Sequence, residues 1–327
     1  MPTSPATSPV PPPVFMPQLS STSPVPAPTP TPTPTPMPPL KENSASQPTK
    51  DDRSIETTKF DLPKLRLEVR DLNHAGSQTF LTAVLANEAL KTAARSVLTL
   101  LYESPHCRTT TIPTTRSVTL ILRSMEGVAY TTGTDLDDDH KEIHFSLDYI
   151  HRAIASERKK HEIMGVLTHE MVHCYQYNGF NTCPGGLIEG IADWVRLNAD
   201  LSPPHWKKEA SGKWDAGYQH TGYFLDYLEK RFGKGTVRRV NEKLRIERYE
   251  EKRFWTELCG RPVEQLWKDY SKHLEAEQRK AEEEECVIVE KEDAITPKKL
   301  EPGEDEPTPI VAAEETEDDS MKSVKPE

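Results

Sequence analysis

Residues 165–194 read GVLTHEMVHCYQYNGFNTCPGGLIEGIADW. In the first half, Val166, Leu167 and Val172 recur at helical intervals and Asn178-Gly179 supplies a stop, so a helix is predicted over about 158–177. Pro184-Gly185-Gly186 forms a tight turn, and a second helix is expected over 187–199. On the first helix His169 and His173 are four residues apart, which puts both imidazoles on one face. With Glu170 beside them they make the H-E-x-x-H geometry, in which two histidines hold zinc and the glutamate acts as general base. On the second helix Glu189 and Asp193 also share a face. If the two helices run antiparallel, Glu189 lies opposite the histidines as a third ligand and leaves a fourth position for water. Asp193, one turn further on, is placed to accept the other imidazole N–H of a ligand histidine.

The five-residue pattern is weak by itself, and a Glu-x-x-x-Asp pair is usually a solvated helix face. Here both acids sit in an apolar run, GGLIEGIADWV, where unpaired carboxylates are costly to bury. Metal or histidine partners remove that cost. Cys174, next to His173, points away from the metal face and is expected to be a buried small hydrophobe.

Upstream, Leu65, Leu67 and Val69 alternate with charged residues as in a half-buried strand, and Phe80–Leu101 is predicted to be one helix. Strands are expected at Ser117–Leu122, Gly127–Tyr130 and Glu142–Leu147. Downstream, helices are expected at 217–232, 235–243, 251–258 and 262–273. Strands first and helices second predict an α+β fold, a small mixed sheet followed by a helical part that carries H-E-x-x-H.

The ends differ from this middle. Of the 29 prolines 17 lie in residues 1–50, which contain no glycine and one aromatic, Phe15. Such a segment buries too little apolar surface to offset its ordering entropy, so residues 1–57 are predicted to be a disordered Pro/Ser/Thr tail. Glu275–Glu327 has 19 acidic and 7 basic residues, net −12 against −11 for the whole chain. It is predicted to be a second, acidic disordered tail, which leaves 58–274 as the folded domain. The remainder of the chain, at +1, offers no strongly basic surface for nucleic acid. No apolar run approaches the roughly 20 residues of a membrane span. With no charged-then-apolar leader at the N-terminus and 5 cysteines expected to be reduced, the expectation is a soluble intracellular protein of cytoplasm or nucleus.

The stretches GVAYTTG (127–133), GVLTHEMVHCYQYNG (165–179), PGGLIEGIADWVRLNA (184–199), HW (205–206), KWDAGY (213–218), FLDYL (224–228) and VEQLWKDY (263–270) resemble the basic secretory protein family of plants and fungi. The resemblance spans essentially all of residues 60–274. It implies a zinc-dependent peptidase with a zincin-like fold, in which substrate lies along an edge strand beside the zinc helix. By the same resemblance His169, His173 and Glu189 are ligands and Glu170 is the catalytic acid/base. The chain departs from the family in its long tails, its near-neutral folded part, and Gln219-His220-Thr221-Gly222-Tyr223 before the FLDY motif.

A zinc-bound water and Glu170 make peptide hydrolysis the expected reaction, and its tetrahedral oxyanion needs a further donor. Tyr218, His220 and Tyr223, on the expected 217–232 helix, are candidates. In the acidic tail Val287-Ile288-Val289, flanked by acids, resembles a SUMO-interacting motif that adds as a strand to a sheet edge. Val324-Lys325-Pro326-Glu327 fits a SUMO acceptor pattern. The competing readings are a non-catalytic protein-binding module that keeps the fold and is recruited through its tails, or a metal-dependent hydrolase of another bond.

Overall fold

The computed structural model describes residues 59–295, with side chains to residue 284. Four strands form one mixed sheet: β1 (Lys64–Val69), β2 (Ser117–Arg123), β3 (Ala129–Thr134) and β4 (Asp137–Ser146), in the order β1-β2-β4-β3. β1, β2 and β4 are parallel, and β3 turns back antiparallel to β4 as an edge strand. Between β1 and β2 the chain crosses over through α1 (Ala75–Ala83) and α2 (Ala86–Tyr102). After β4 come α3 (Leu147–Arg152), a 3₁₀ turn, α4 (Lys159–His173), α5 (Gly185–Asn198), α6 (Tyr218–Phe232), α7 (Thr236–Ile246), α8 (Glu251–Cys259) and α9 (Val263–Ile295).

The period-2 alternation of β2 and β4 sorts their side chains by face. Leu120 is in register with Ile143, and Leu122 with Phe145; all four are fully buried against the helices. β3 continues these rows, Ala129 opposite Phe145 and Thr131 opposite Ile143, so Thr131 faces the helical layer while Tyr130 and Thr132 face the other way. Leu90, Ala94, Val97 and Leu101 of α2 are buried in the same core. Burying each large side chain of this kind is worth about 1.5–3 kcal/mol.

α4 has no wet face over most of its length: Ile163 and every residue from Gly165 to Val172 are buried. It is central, enclosed by α2, β3 and α5. α5 and α6 approach closely because small residues line their contact. A Cβ on Gly190 would meet Thr221 Cγ2 at 2.3 Å, and one on Gly186 would meet the Asp215 carbonyl oxygen at 1.8 Å. The first residue of α6 is thereby held against α5.

The mixed α+β order is as expected, with four differences of detail. Phe80–Leu101 is two helices, because the backbone is extended at Val84 and Leu85 and Val84 turns into the core. β3 and β4 extend through the polar hairpin around Asp137, whose strand character comes from pairing rather than from apolar alternation. α4 stops at His173, not at 177, where the Tyr177 N–H leaves the helix and donates to Asn241 Oδ1 at 3.0 Å. The boundary expected at Leu274 falls inside α9, which continues to Ile295. Val287-Ile288-Val289, expected to add as a strand, is thus in a helix, a conformation in which its backbone groups bond within the helix. The 1–57 segment, and the 324–327 pattern with most of the acidic tail, lie outside the described residues.

Candidate metal centre

The contacts between α4 and α5 establish their relative direction. Gln176, just past α4, reaches the Ile188 carbonyl; His169 meets Glu189 and Asp193; and Glu162 meets Arg196. Descending numbers on one helix against ascending numbers on the other mean antiparallel packing. At the centre of this contact His169 Nε2 lies 3.3 Å from His173 Nε2 and 3.0 Å from Glu189 Oε2, and His173 Nε2 lies 3.7 Å from the same oxygen. Among the described residues these three form the group able to hold a metal ion. Ligand atoms about 2.0–2.1 Å from a tetrahedral zinc stand about 3.4 Å apart, and the three separations straddle that value.

The outer nitrogens are also partnered. His169 Nδ1 is 2.7 Å from Asp193 Oδ1, both side chains being buried. A proton on Nδ1 satisfies the carboxylate and leaves the Nε2 lone pair toward the metal position. His173 Nδ1 is 3.1 Å from the Gln176 amide nitrogen, and the buried Gln176 Oε1 has no partner among the described residues. The same amide nitrogen lies 3.4 Å from the Ile188 carbonyl oxygen, so the side chain braces the His173 ring against α5. Gln176 was not singled out from the sequence, although its i+3 spacing from His173 was a usable signal.

Burial alone would push His169 down, but the hydrogen bonds to Asp193 and Glu189 outweigh it and raise the group to about 9. Glu189, which burial alone would raise, is held well below the usual carboxylate range by hydrogen bonds and charge from the two histidines.

Glu170 is buried, and Thr131 Oγ1 lies 2.7 Å from its Oε2 and 3.0 Å from its carbonyl oxygen. Both residues line a cleft of about 870 Å³ together with Gly127–Tyr130, His169, His173, Glu189, Trp206 and Tyr218. Tyr218 is 56% exposed, and its ring lies parallel to that of His169, centroids 6.1 Å apart. Its φ of +48° is a left-handed conformation that costs a non-glycine residue about 1–2 kcal/mol, and it follows Gly217 at φ +91°. The Glu189 charge, and then burial, raise its phenol above the ordinary value.

The structure does not bring His220 to the cleft. Residues i and i+2 point about 200° apart on a helix. His220 therefore turns into the interior, where its Nε2 meets the Lys213 carbonyl oxygen at 3.0 Å and its ring lies 4.9 Å from that of Trp267. Tyr223 packs edge-on against Trp206 and is likewise absent from the cleft lining. Cys174 is buried, its thiol pushed up by burial, and takes no part in the ligand group.

The far end of the cleft rests on Arg196, which sequence reading passed over. Its guanidinium lies over Gly165, donates to Glu162 Oε1 at 2.7 Å and to the Leu201 carbonyl at 3.0 Å, and sits 5.3 Å from the Trp206 ring centre. The segment bearing Trp206 is pinned to α4 by these bonds.

A family model described as peptidase of plants and bacteria matches residues 62–270, the sheet and the helices through the first two turns of α9. No curated protein and no solved structure matches the chain. The match covers well over half of the sequence and includes every residue of the ligand group: the chain belongs to the basic secretory protein family of peptidases.

Proposed function

We propose that the protein is a zinc-dependent endopeptidase of the zincin type, with His169, His173 and Glu189 as ligands and Glu170 as general base and acid. The observation that carries this reading is the convergence of two imidazole nitrogens and one carboxylate oxygen at 3.0, 3.3 and 3.7 Å. Zinc held there supplies a Lewis acid and lowers the pKa of a bound water toward about 7. Asp193 fixes the tautomer and ring orientation of His169, and Gln176 braces the ring of His173. The unpaired edge of β3 borders the cleft and offers backbone groups to an extended peptide, in the manner of an added strand. Glu170 takes the proton of the attacking water as its oxygen adds to the carbonyl carbon, then delivers it to the amine nitrogen, and the C–N bond of the tetrahedral adduct breaks. Tyr218, on the opposite rim, is the candidate hydrogen-bond donor to the oxyanion.

The test combines metal analysis of the purified full chain with cleavage of labelled casein. One equivalent of zinc, cleavage abolished by chelator and restored by zinc, and a zinc-loaded but inactive Glu170→Gln variant are the expected results. A zinc-free chain, or a Glu170→Gln variant that cleaves like wild type, removes the proposed mechanism.

A further inference from the structure

Thr131 lies in the GVAYTTG stretch with no role assigned from the sequence, yet it ties the edge strand to the group proposed as the base. Its side chain points from β3 into the helical layer, and its hydroxyl is bonded to both the carboxylate and the main chain of one residue, Glu170. Among the described residues no other side chain hydrogen-bonds that carboxylate. We infer, resting on the reading of the site given above, that Thr131 is a positioning residue that holds Glu170 Oε2 and so leaves Oε1 to meet the attacking water.

An ionised carboxylate only accepts hydrogen bonds, and a threonine hydroxyl carries one hydrogen and two lone pairs. With the carboxylate ionised, Thr131 Oγ1–H donates to Oε2 at 2.7 Å, which fixes the carboxylate plane and removes one of its two equivalent oxygens from competition. The water proton then goes to Oε1 and from there to the leaving nitrogen, so the carboxylate ends each turnover as it began. While Glu170 holds that proton, the hydroxyl hydrogen can turn to the Glu170 carbonyl oxygen at 3.0 Å, and neither state leaves the half-buried hydroxyl unpaired. Thr131 also belongs to the strand whose free edge borders the cleft. A peptide laid along β3 is in this way kept in register with the base through one side chain.

A contact that only holds the fold together predicts something different: any loss would track stability. The experiment compares Thr131→Val, Thr131→Ser and Glu170→Gln in the full chain, with a quenched-fluorescence peptide cleaved by the wild type, alongside zinc content and melting temperature. Thr131→Val is expected to keep zinc and to lower kcat roughly 10- to 100-fold, with KM within about twofold, since misplacing a reacting group by about 1 Å has that scale of effect. Thr131→Ser, which keeps the hydroxyl, is expected to recover most of kcat. If Thr131→Val does not fold, Thr131→Ala is read in the same way. Wild-type kcat in the valine or alanine variant, zinc loss in either, or a serine variant as poor as valine at equal stability overturns the inference. In each of those cases an inactive Glu170→Gln leaves the peptidase reading standing. An active Glu170→Gln brings down that reading instead.

Discussion

The two sides of the cleft are built on different principles. Its floor, α4 against α5, holds His169, Glu170 and Asp193 as buried side chains with hydrogen-bond partners on the facing helix or strand. Its rim, the edge of β3 and the first turn of α6, is more open, with Tyr218 at 56% exposure. Buried charged groups tolerate little displacement, because each lost partner leaves a desolvated charge or dipole behind. Exposed rim groups can move and be resolvated. On the proposed reading, the floor sets whether a cation is held, and the rim sets how well a substrate is used once it is there.

The largest expected effect lies in the floor. Glu189→Ala leaves two imidazoles whose Nε2 atoms lie 3.3 Å apart, with no carboxylate in the ligand set. Zinc content after dialysis should fall close to zero and casein cleavage by about 10³-fold or more, in line with losing a member of a set that acts as a unit. Retention of one tightly held zinc by this variant breaks the division between floor and rim outright.

Much of this floor is legible in the sequence because helix periodicity is local. His169 and His173 must share a face at i, i+4, and so must Glu189 and Asp193; the only long-range step is that two apolar helices pack together. The β3–β4 hairpin lacks such a signal. TTGTDLDDDHK is polar, and its strand state follows from pairing with residues that themselves pair with β2. Thr131 is 39 residues from Glu170, so no spacing rule joins them. His220 differs for another reason: it shares a helix with Tyr218 but not a face, and side chains at i and i+2 point in nearly opposite directions.

Next in size is the response of the metal-free floor to pH. In the folded chain the group at His169 is raised from the ordinary histidine value to about 9 by Asp193 and Glu189. A raised folded value contributes stability that is fully present below the unfolded value, about 6.5, and is lost as pH rises through about 9. Chelator-treated protein should therefore lose about 3 kcal/mol of this contribution across that window, a factor of about 10² in the folding equilibrium. Zinc-loaded protein, whose His169 must be neutral to bind, should not follow this course, and zinc uptake near neutral pH should release protons. Thermal melts of both forms from pH 6 to 9.5 compare them directly; parallel curves would mean that His169 does not carry the proton in the apo floor.

Asp193→Asn is expected to act more gently, because it keeps the shape and a hydrogen-bond acceptor but removes the charge that steadies His169 Nδ1 at 2.7 Å. Outer partners of metal-bound histidines typically contribute roughly 10- to 100-fold in affinity or activity. Competition against a chromogenic zinc chelator should show that loss. An unchanged affinity would reduce Asp193 from a floor element to a packing residue.

The smallest effects belong to the rim and test it most finely. Tyr218→Phe removes one hydroxyl from an exposed ring that already sits at a φ of +48°, so backbone geometry and the parallel contact with His169 should persist. A well-buried oxyanion donor is worth about 10²–10³ in kcat, and an exposed one that water partly replaces should be worth about tenfold. KM should stay near the wild-type value, since the phenol is needed only as charge develops. His220→Asn supplies the control from the same helix turn. That side chain points away from the cleft to the Lys213 carbonyl, so kcat should stay within about twofold while the melting temperature falls through the lost buried bond. If the two variants exchange these signatures, the first turn of α6 is rotated by about half a turn from the arrangement described, and the rim has been assigned to the wrong face.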